Sequence, residues 1–150
     1  MTTQKSIQEF LSQKPIAVVG VSQTGKKFSN AAYKELKSKG YQVFPVNPKT
    51  ETISGEKCFP NLKSLPEKVG GVVVITKPTE TEKIVREAYT LGIKHIWIQQ
   101  GAESDEAIHF CKEQNVNVIY GECILMFAEP AAFFHRAHRW VWGVFGKLPK

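Results

Sequence analysis

Short apolar runs and amphipathic stretches take turns along most of this chain. The runs at 16–19, 41–46, 70–75, 95–98 and 116–120 are rich in Val, Ile and aromatic residues, with little polar alternation. Such runs predict strands buried on both faces of a parallel sheet. Helical spacing fills the intervals. Residues 3–13 place Ile7, Phe10 and Leu11 on one face, and Ser29 or Asn30 caps a helix carrying Ala31, Ala32, Tyr33 and Leu36, closed by Gly40. Thr79-Glu80-Thr81-Glu82 has the form of a capping box, followed by Ile84, Val85, Ala88 and Leu91 and ended by Gly92. Ser104 or Asp105 caps a last helix with Ala107, Ile108 and Cys111. The connector 50–69 is expected to hold a brief extended piece at Cys58 and Phe59, and a turn or short helix anchored by Leu62 and Leu65.

Strand and helix alternate with hardly an interruption, which predicts an α/β fold: a Rossmann-like doubly wound parallel sheet of about five strands with helices on both faces. Ligands of such sheets bind beyond the carboxyl ends of the strands. The candidate site therefore lies in the residues just past each run. After the first come Gly20, Val21, Ser22, Gln23, Thr24, Gly25, Lys26 and Lys27; after the second, Asn47, Pro48 and Lys49. The third ends in Ile75, Thr76, Lys77 and Pro78, the fourth in Gln99, Gln100 and Gly101, and the fifth leads to Cys123.

The first of these loops is built to hold an anion, because it leads into a helix N-terminus with unpaired amides. As a dinucleotide fingerprint it reads Gly20-x-Ser22-x-x-Gly25, with serine in place of the second glycine. As a Walker A loop it has Gly20 and Gly25-Lys26, but Lys27 stands where a hydroxyl should hold magnesium. A loop for another phosphate ligand, assisted by Ser22, Thr24 and the two lysines, fits as well. An ordinary strand-to-helix turn with solvated lysines is the plain alternative. The second strand end narrows the choice. An NAD site wants a carboxylate there for the ribose, whereas this chain has Asn47 and Lys49. A cation suits a ligand with an extra phosphate near its adenosine, which describes both NADP and coenzyme A.

Composition adds exclusions. At 150 residues, 42% hydrophobic and 23% charged, the chain is sized for one globular domain. No run approaches the roughly 18 apolar residues of a membrane span, and no signal peptide is expected. The odd, widely spaced Cys58, Cys111 and Cys123 suit reduced thiols and a cytoplasmic setting. Of the net charge of +6, Arg136, Arg139, Lys147 and Lys150 supply +4, leaving a body too mildly basic to suggest nucleic acid. The histidines His95, His109, His135 and His138 fall away from the strand ends, and Glu122 is the carboxylate beside the site. No catalytic triad, carboxylate pair or metal cluster is expected, so binding without catalysis is the expected role.

Several segments together carry a family resemblance. They are Val19-Gly20-Val21-Ser22, the run from Gly40-Tyr41 through Val46-Asn47-Pro48-Lys49, Gly55-Glu56-Lys57-Cys58-Phe59-Pro60, Leu62 with Leu65-Pro66, and Trp97-Ile98-Gln99-Gln100-Gly101. On these the chain resembles small stand-alone CoA-binding proteins, similar to the N-terminal CoA-binding domain of the succinyl-CoA synthetase α subunit, through roughly residues 5–127. The resemblance implies a Rossmann-like domain over 1–128 that binds CoA or an acyl-CoA. The alternative, which the resemblance does not imply, is an NADP-dependent oxidoreductase or other nucleotide-binding protein. The resemblance also implies Ser22 to Gly25 and Lys26 or Lys27 at the pyrophosphate, and Lys49 at the ribose phosphate. Thr76-Lys77-Pro78 would wall the adenine, Gln99 and Gln100 would face the pantetheine arm, and Cys123 would lie toward the thiol.

Residues 129–150 lie outside the resemblance. Phe133, Ala137, Trp140 and Val144 share a helical stripe, beside Phe134, Val141 and Phe145, with Arg136 and Arg139 elsewhere around the helix. A basic aromatic helix is expected there, packed on the body or on a second copy in a homodimer. An anionic membrane surface or another protein is the alternative partner.

Overall fold

A computed structural model describes residues 3–21, 28–53 and 55–128. In chain order its elements are α1 (Gln4–Leu11), β1 (Ile16–Val19), α2 (Phe28–Ser38), β2 (Val43–Val46), β3 (Thr52–Ile53) and β4 (Glu56–Lys57). After a 3-10 turn at Leu62–Ser64 come β5 (Gly71–Val74), α3 (Pro78–Thr90), β6 (His95–Gln99), α4 (Asp105–Glu113), β7 (Asn117–Glu122) and a last 3-10 turn, Ile124–Met126. The five expected strands form one parallel sheet in the order β2-β1-β5-β6-β7. The order reverses at β1 and β5, the point at which doubly wound sheets open a crevice at their carboxyl edge.

Side-chain alternation along the strands supplies two cores. Ile16, Val18, Val73, Trp97 and Ile119 face α1 and α2, meeting Ile7, Phe10, Tyr33 and Leu36. Ala17, Val19, Val72, Val74, Ile96 and Ile98 face the other way, onto Val85 and Ala88 of α3 and Ala107 and Cys111 of α4. Burial on both faces is why the runs show no polar alternation. Trp97 is fully buried, with the Phe10 ring edge-on at 5.5 Å and its indole N–H donating to the Glu122 carbonyl at 3.1 Å.

Local signals settled most helix ends. Gly40 and Gly92 take positive φ and close α2 and α3 with paired bonds, Gly40 to Lys37 with Tyr41 to Leu36, and Gly92 to Tyr89 with Ile93 to Ala88. Ser104 caps α4 through the Ala107 amide.

Two starts and one end differ from expectation. α1 opens at Thr3, with Ser6 completing its capping box, but stops at Leu11 rather than running to residue 13. Ser29 and Asn30 are not caps: α2 already begins at Phe28, which places both in its first turn, buried. Thr79 is not a cap either. Pro78 takes the first position of α3, Lys77 precedes it without a side-chain bond, and Thr81 is drawn inside. The connector 50–69 also holds the hairpin β3–β4, unforeseen in the sequence. Glu56 secures it to α2, accepting from the Tyr33 hydroxyl at 2.6 Å and pairing with Lys37.

Candidate functional site

The site begins where β1 stops. The ladder runs one residue further on both sides, with Gly20 N–H donating to Val46 O and Ile75 N–H to Val19 O, each at 2.9 Å. Gly20 has φ +108°, and a Cβ built on it would sit 2.1 Å from the Ile75 carbonyl oxygen. Glycine is therefore demanded here by the backbone of the adjacent strand. Val21 comes next, fully buried. Ser22, Gln23, Thr24, Gly25, Lys26 and Lys27 lie outside the described residues. α2 follows, from Phe28. In its first turn Ser29 is 3% exposed, and its hydroxyl has no hydrogen-bond partner among the described residues.

At the end of β2, the Asn47 side chain spans two loops. Its amide nitrogen donates to Val21 O at 2.6 Å, and its oxygen accepts from the Lys49 backbone amide at 2.8 Å. Pro48 and Lys49 are exposed, and no ion pair engages Lys49 among the described residues. Beyond β5, Ile75 and Thr76 are half-buried while Lys77 and Pro78 are exposed. The Thr76 hydroxyl lies 3.2 Å from that of Thr81, which donates to the Ala102 carbonyl at 2.7 Å. Beyond β6, Gln99 is 3% exposed, its side-chain oxygen accepting from the Ile124 amide at 3.0 Å. Gln100 and Gly101 are exposed, the Gly101 amide donating to Glu103 at 2.7 Å. Cys123 is a half-buried free thiol that opens the last 3-10 turn. Burial pushes the neighbouring Glu122 carboxyl above its ordinary range.

The strand ends thus sort into two kinds. Asn47, Thr76 and Gln99 have polar atoms committed to protein partners, whereas Lys49, Lys77, Gln100 and Gly101 stay exposed. Ser29 and Thr81 also have parts here, which their sequence pattern does not show, since it marks both only as helix-start residues. Pro78 is the available signal for Thr81, because proline favours the first helical position. Among the described residues no group of three or more His, Cys, Asp or Glu could hold a metal. His95 sits at the other end of β6, its Nδ1 3.1 Å from the Asn117 amide nitrogen, and His109 pairs with Glu113 on α4. An open groove of about 250 Å³ between Leu62, Leu65, Val69, Leu91 and Ile93 contains none of the candidate residues.

Residues 14–129 match the CoA binding domain family. The chain belongs to that family. The chain is 31% identical over 119 residues to the uncharacterised protein YneT of Bacillus subtilis, covering 79% of this chain and 88% of that one. A hypothetical protein from Pyrococcus horikoshii has the same architecture, with 31% identity, a TM-score of 0.76, and coverage of 95% of this chain and 94% of that chain. The ADP-forming acetate–CoA ligase of Methanocaldococcus jannaschii is 24% identical over 74% of this chain, which spans only 17% of that enzyme. The expected likeness to small CoA-binding proteins and synthetase CoA-binding domains is borne out.

Proposed function

We propose that the chain binds coenzyme A or an acyl-CoA across the carboxyl edge of the sheet, as a binding or regulatory module that catalyses nothing alone. The observation that carries this reading is the Ser29 hydroxyl, buried in the first turn of α2 and unpartnered among the described residues. A buried hydroxyl without a partner costs stability unless something absent supplies one. Beside helix-terminal amides, an anionic phosphate oxygen is the natural acceptor. The residues present fit CoA: Ser29 and the loop 20–27 toward the pyrophosphate, Lys49 toward the 3′-phosphate, and Lys77, Gln100 and Cys123 along the remaining edge. Bound CoA would bring a thiol that carries acyl groups; the chain's own residues hold and orient it. The free thiols of Cys58, Cys111 and Cys123 accord with a cytoplasmic setting. No helix of the described residues is long and apolar enough to cross a membrane. Residues 129–150 lie outside the described residues, and their docking on the body or on a second copy belongs to the same proposal.

Calorimetric titration of the full chain with CoA, dephospho-CoA and NADPH tests the reading. CoA should bind best, and Ser29→Ala should weaken it by roughly ten- to a hundredfold, the worth of one hydrogen bond to a charged group. Because no described residue bonds the hydroxyl, the same variant should melt no lower than wild type. Preference for NADPH, or unchanged CoA affinity in Ser29→Ala, would overturn it.

A further inference from the structure

Asn47 occupies the junction between the two loops on which the nucleotide reading depends. Its backbone N–H donates to Phe59 O at 2.9 Å, fixing the residue beyond the end of β2. From that fixed base, the carboxamide nitrogen reaches Val21 O at 2.6 Å, 26 residues away and immediately before the loop 22–27. The carboxamide oxygen accepts from Lys49 N–H at 2.8 Å, closing an Asx turn around Pro48. Both ends of the side chain are thus engaged by protein atoms. Lys49 has the opposite character. Its backbone is held by Asn47, while its side chain is exposed and outside any ion pair among the described residues.

We infer that Asn47 is a positioning residue that makes the site selective for a ligand bearing an extra phosphate, acting through Lys49 rather than by touching the ligand. The inference rests on the proposed binding of CoA. The Asx turn sets the direction in which the Lys49 ammonium leaves the loop, so losing it releases a flexible lysine that must be ordered again when ligand binds. The Val21 tether does a different job, holding the backbone just past β1 against the end of β2, and it serves every nucleotide ligand alike. One side chain therefore has two separable effects. The oxygen governs the ratio of affinities for CoA and dephospho-CoA, and the nitrogen governs affinity for both.

A double-mutant cycle separates positioning from contact. CoA and dephospho-CoA are titrated calorimetrically into wild type, Asn47→Ala, Lys49→Ala and the double variant. In wild type CoA should bind about tenfold more tightly than dephospho-CoA, the scale of one charge-assisted phosphate contact. Either single substitution should bring the ratio close to one, and the double variant should lower it no further, because Asn47 has no route to the 3′-phosphate once Lys49 is gone. Asn47→Ser provides a second probe should Asn47→Ala fold poorly. Serine can still accept from the Lys49 amide but is too short to reach Val21, so both affinities should fall while their ratio survives. An Asn47→Ala ratio equal to wild type, or Asn47 and Lys49 effects that simply add, overturns the positioning role. Equal wild-type affinity for the two ligands overturns it also. A wild type that binds neither ligand refutes the CoA reading itself, and that failure is visible before any variant is made.

Discussion

Replacing Gly20 by alanine tests whether the carboxyl edge is shaped by close backbone approach. The new methyl would lie 2.1 Å from the Ile75 carbonyl oxygen and 3.3 Å from the Thr76 methyl, with φ at +108°. Real contacts of this kind essentially never fall under 3.0 Å, so β1 and β5 must part by about 1 Å at this point. The backbone conformation alone costs an L-residue roughly 1–3 kcal/mol, and the overlap about as much again. Parting the strands also strains the bonds from Gly20 to Val46 and from Ile75 to Val19, each worth about 1 kcal/mol. The total, about 2–6 kcal/mol before the strained bonds and up to about 8 kcal/mol if both are lost, is a large part of a typical stability of about 5–15 kcal/mol. Gly101→Ala is the matched control, since φ there is +97° but nothing lies within 4 Å of the added carbon. It should carry the conformational strain alone. Thermal melting of both variants reads the difference, at about 2–4 °C per kcal/mol for a chain of this size. Gly20→Ala melting no lower than Gly101→Ala would refute the reasoning.

Two more outcomes rest on burial. With Ellman's reagent on the native protein at pH 8, Cys123 should react quickly while Cys58 and Cys111 wait for unfolding. Both of the latter are buried, burial raises the Cys58 thiol, and that of Cys111 is pushed up to about 12; native-state modification of Cys111 as fast as Cys123 would contradict this. His95 is held below its ordinary value of 6.5 by burial, against a smaller opposing pull from Glu9. Its Nδ1 accepts from Asn117, whose amide nitrogen also donates to Ser6 O, so a proton there would face another donor. The unfolded chain therefore binds the proton more readily, and stability should fall as pH drops below about 6.5 toward the lower folded value. Urea midpoints at pH 7.5 and 5.5 should differ less in His95→Gln than in wild type; an equal difference would remove His95 as the cause.

How much was legible before the fold was known depended on the range of the interaction concerned. Val72, Val73 and Val74 read as a doubly buried strand because burial on both faces leaves no polar position to interrupt the run. Gly40 and Gly92 read as helix ends because the closing bonds lie within the same few residues. Thr79-Glu80-Thr81-Glu82 misled because it matched a local rule that Pro78 satisfied one position earlier, freeing Thr81 to turn inward and bond Ala102, 21 residues away. Gln99 read as a ligand-facing residue, but its oxygen is committed to the amide of Ile124, 25 residues on. No local pattern encodes such partners.

Sequence alone determined the strands, their order along the chain, the loops that end them and the family they belong to, since these depend on periodicity, turn chemistry and the particular residues at strand ends. Tertiary structure decided what each of those residues does. Setting β1 between β2 and β5 gave Asn47 its tie to Val21 and made Gly20 a steric necessity, and folding α2 onto the sheet buried the Ser29 hydroxyl with no partner among the described residues. The physical reason is that a hydrogen-bonding group takes whichever partner packing brings within about 3 Å, and in this sheet those partners lie a strand and a helix away in sequence.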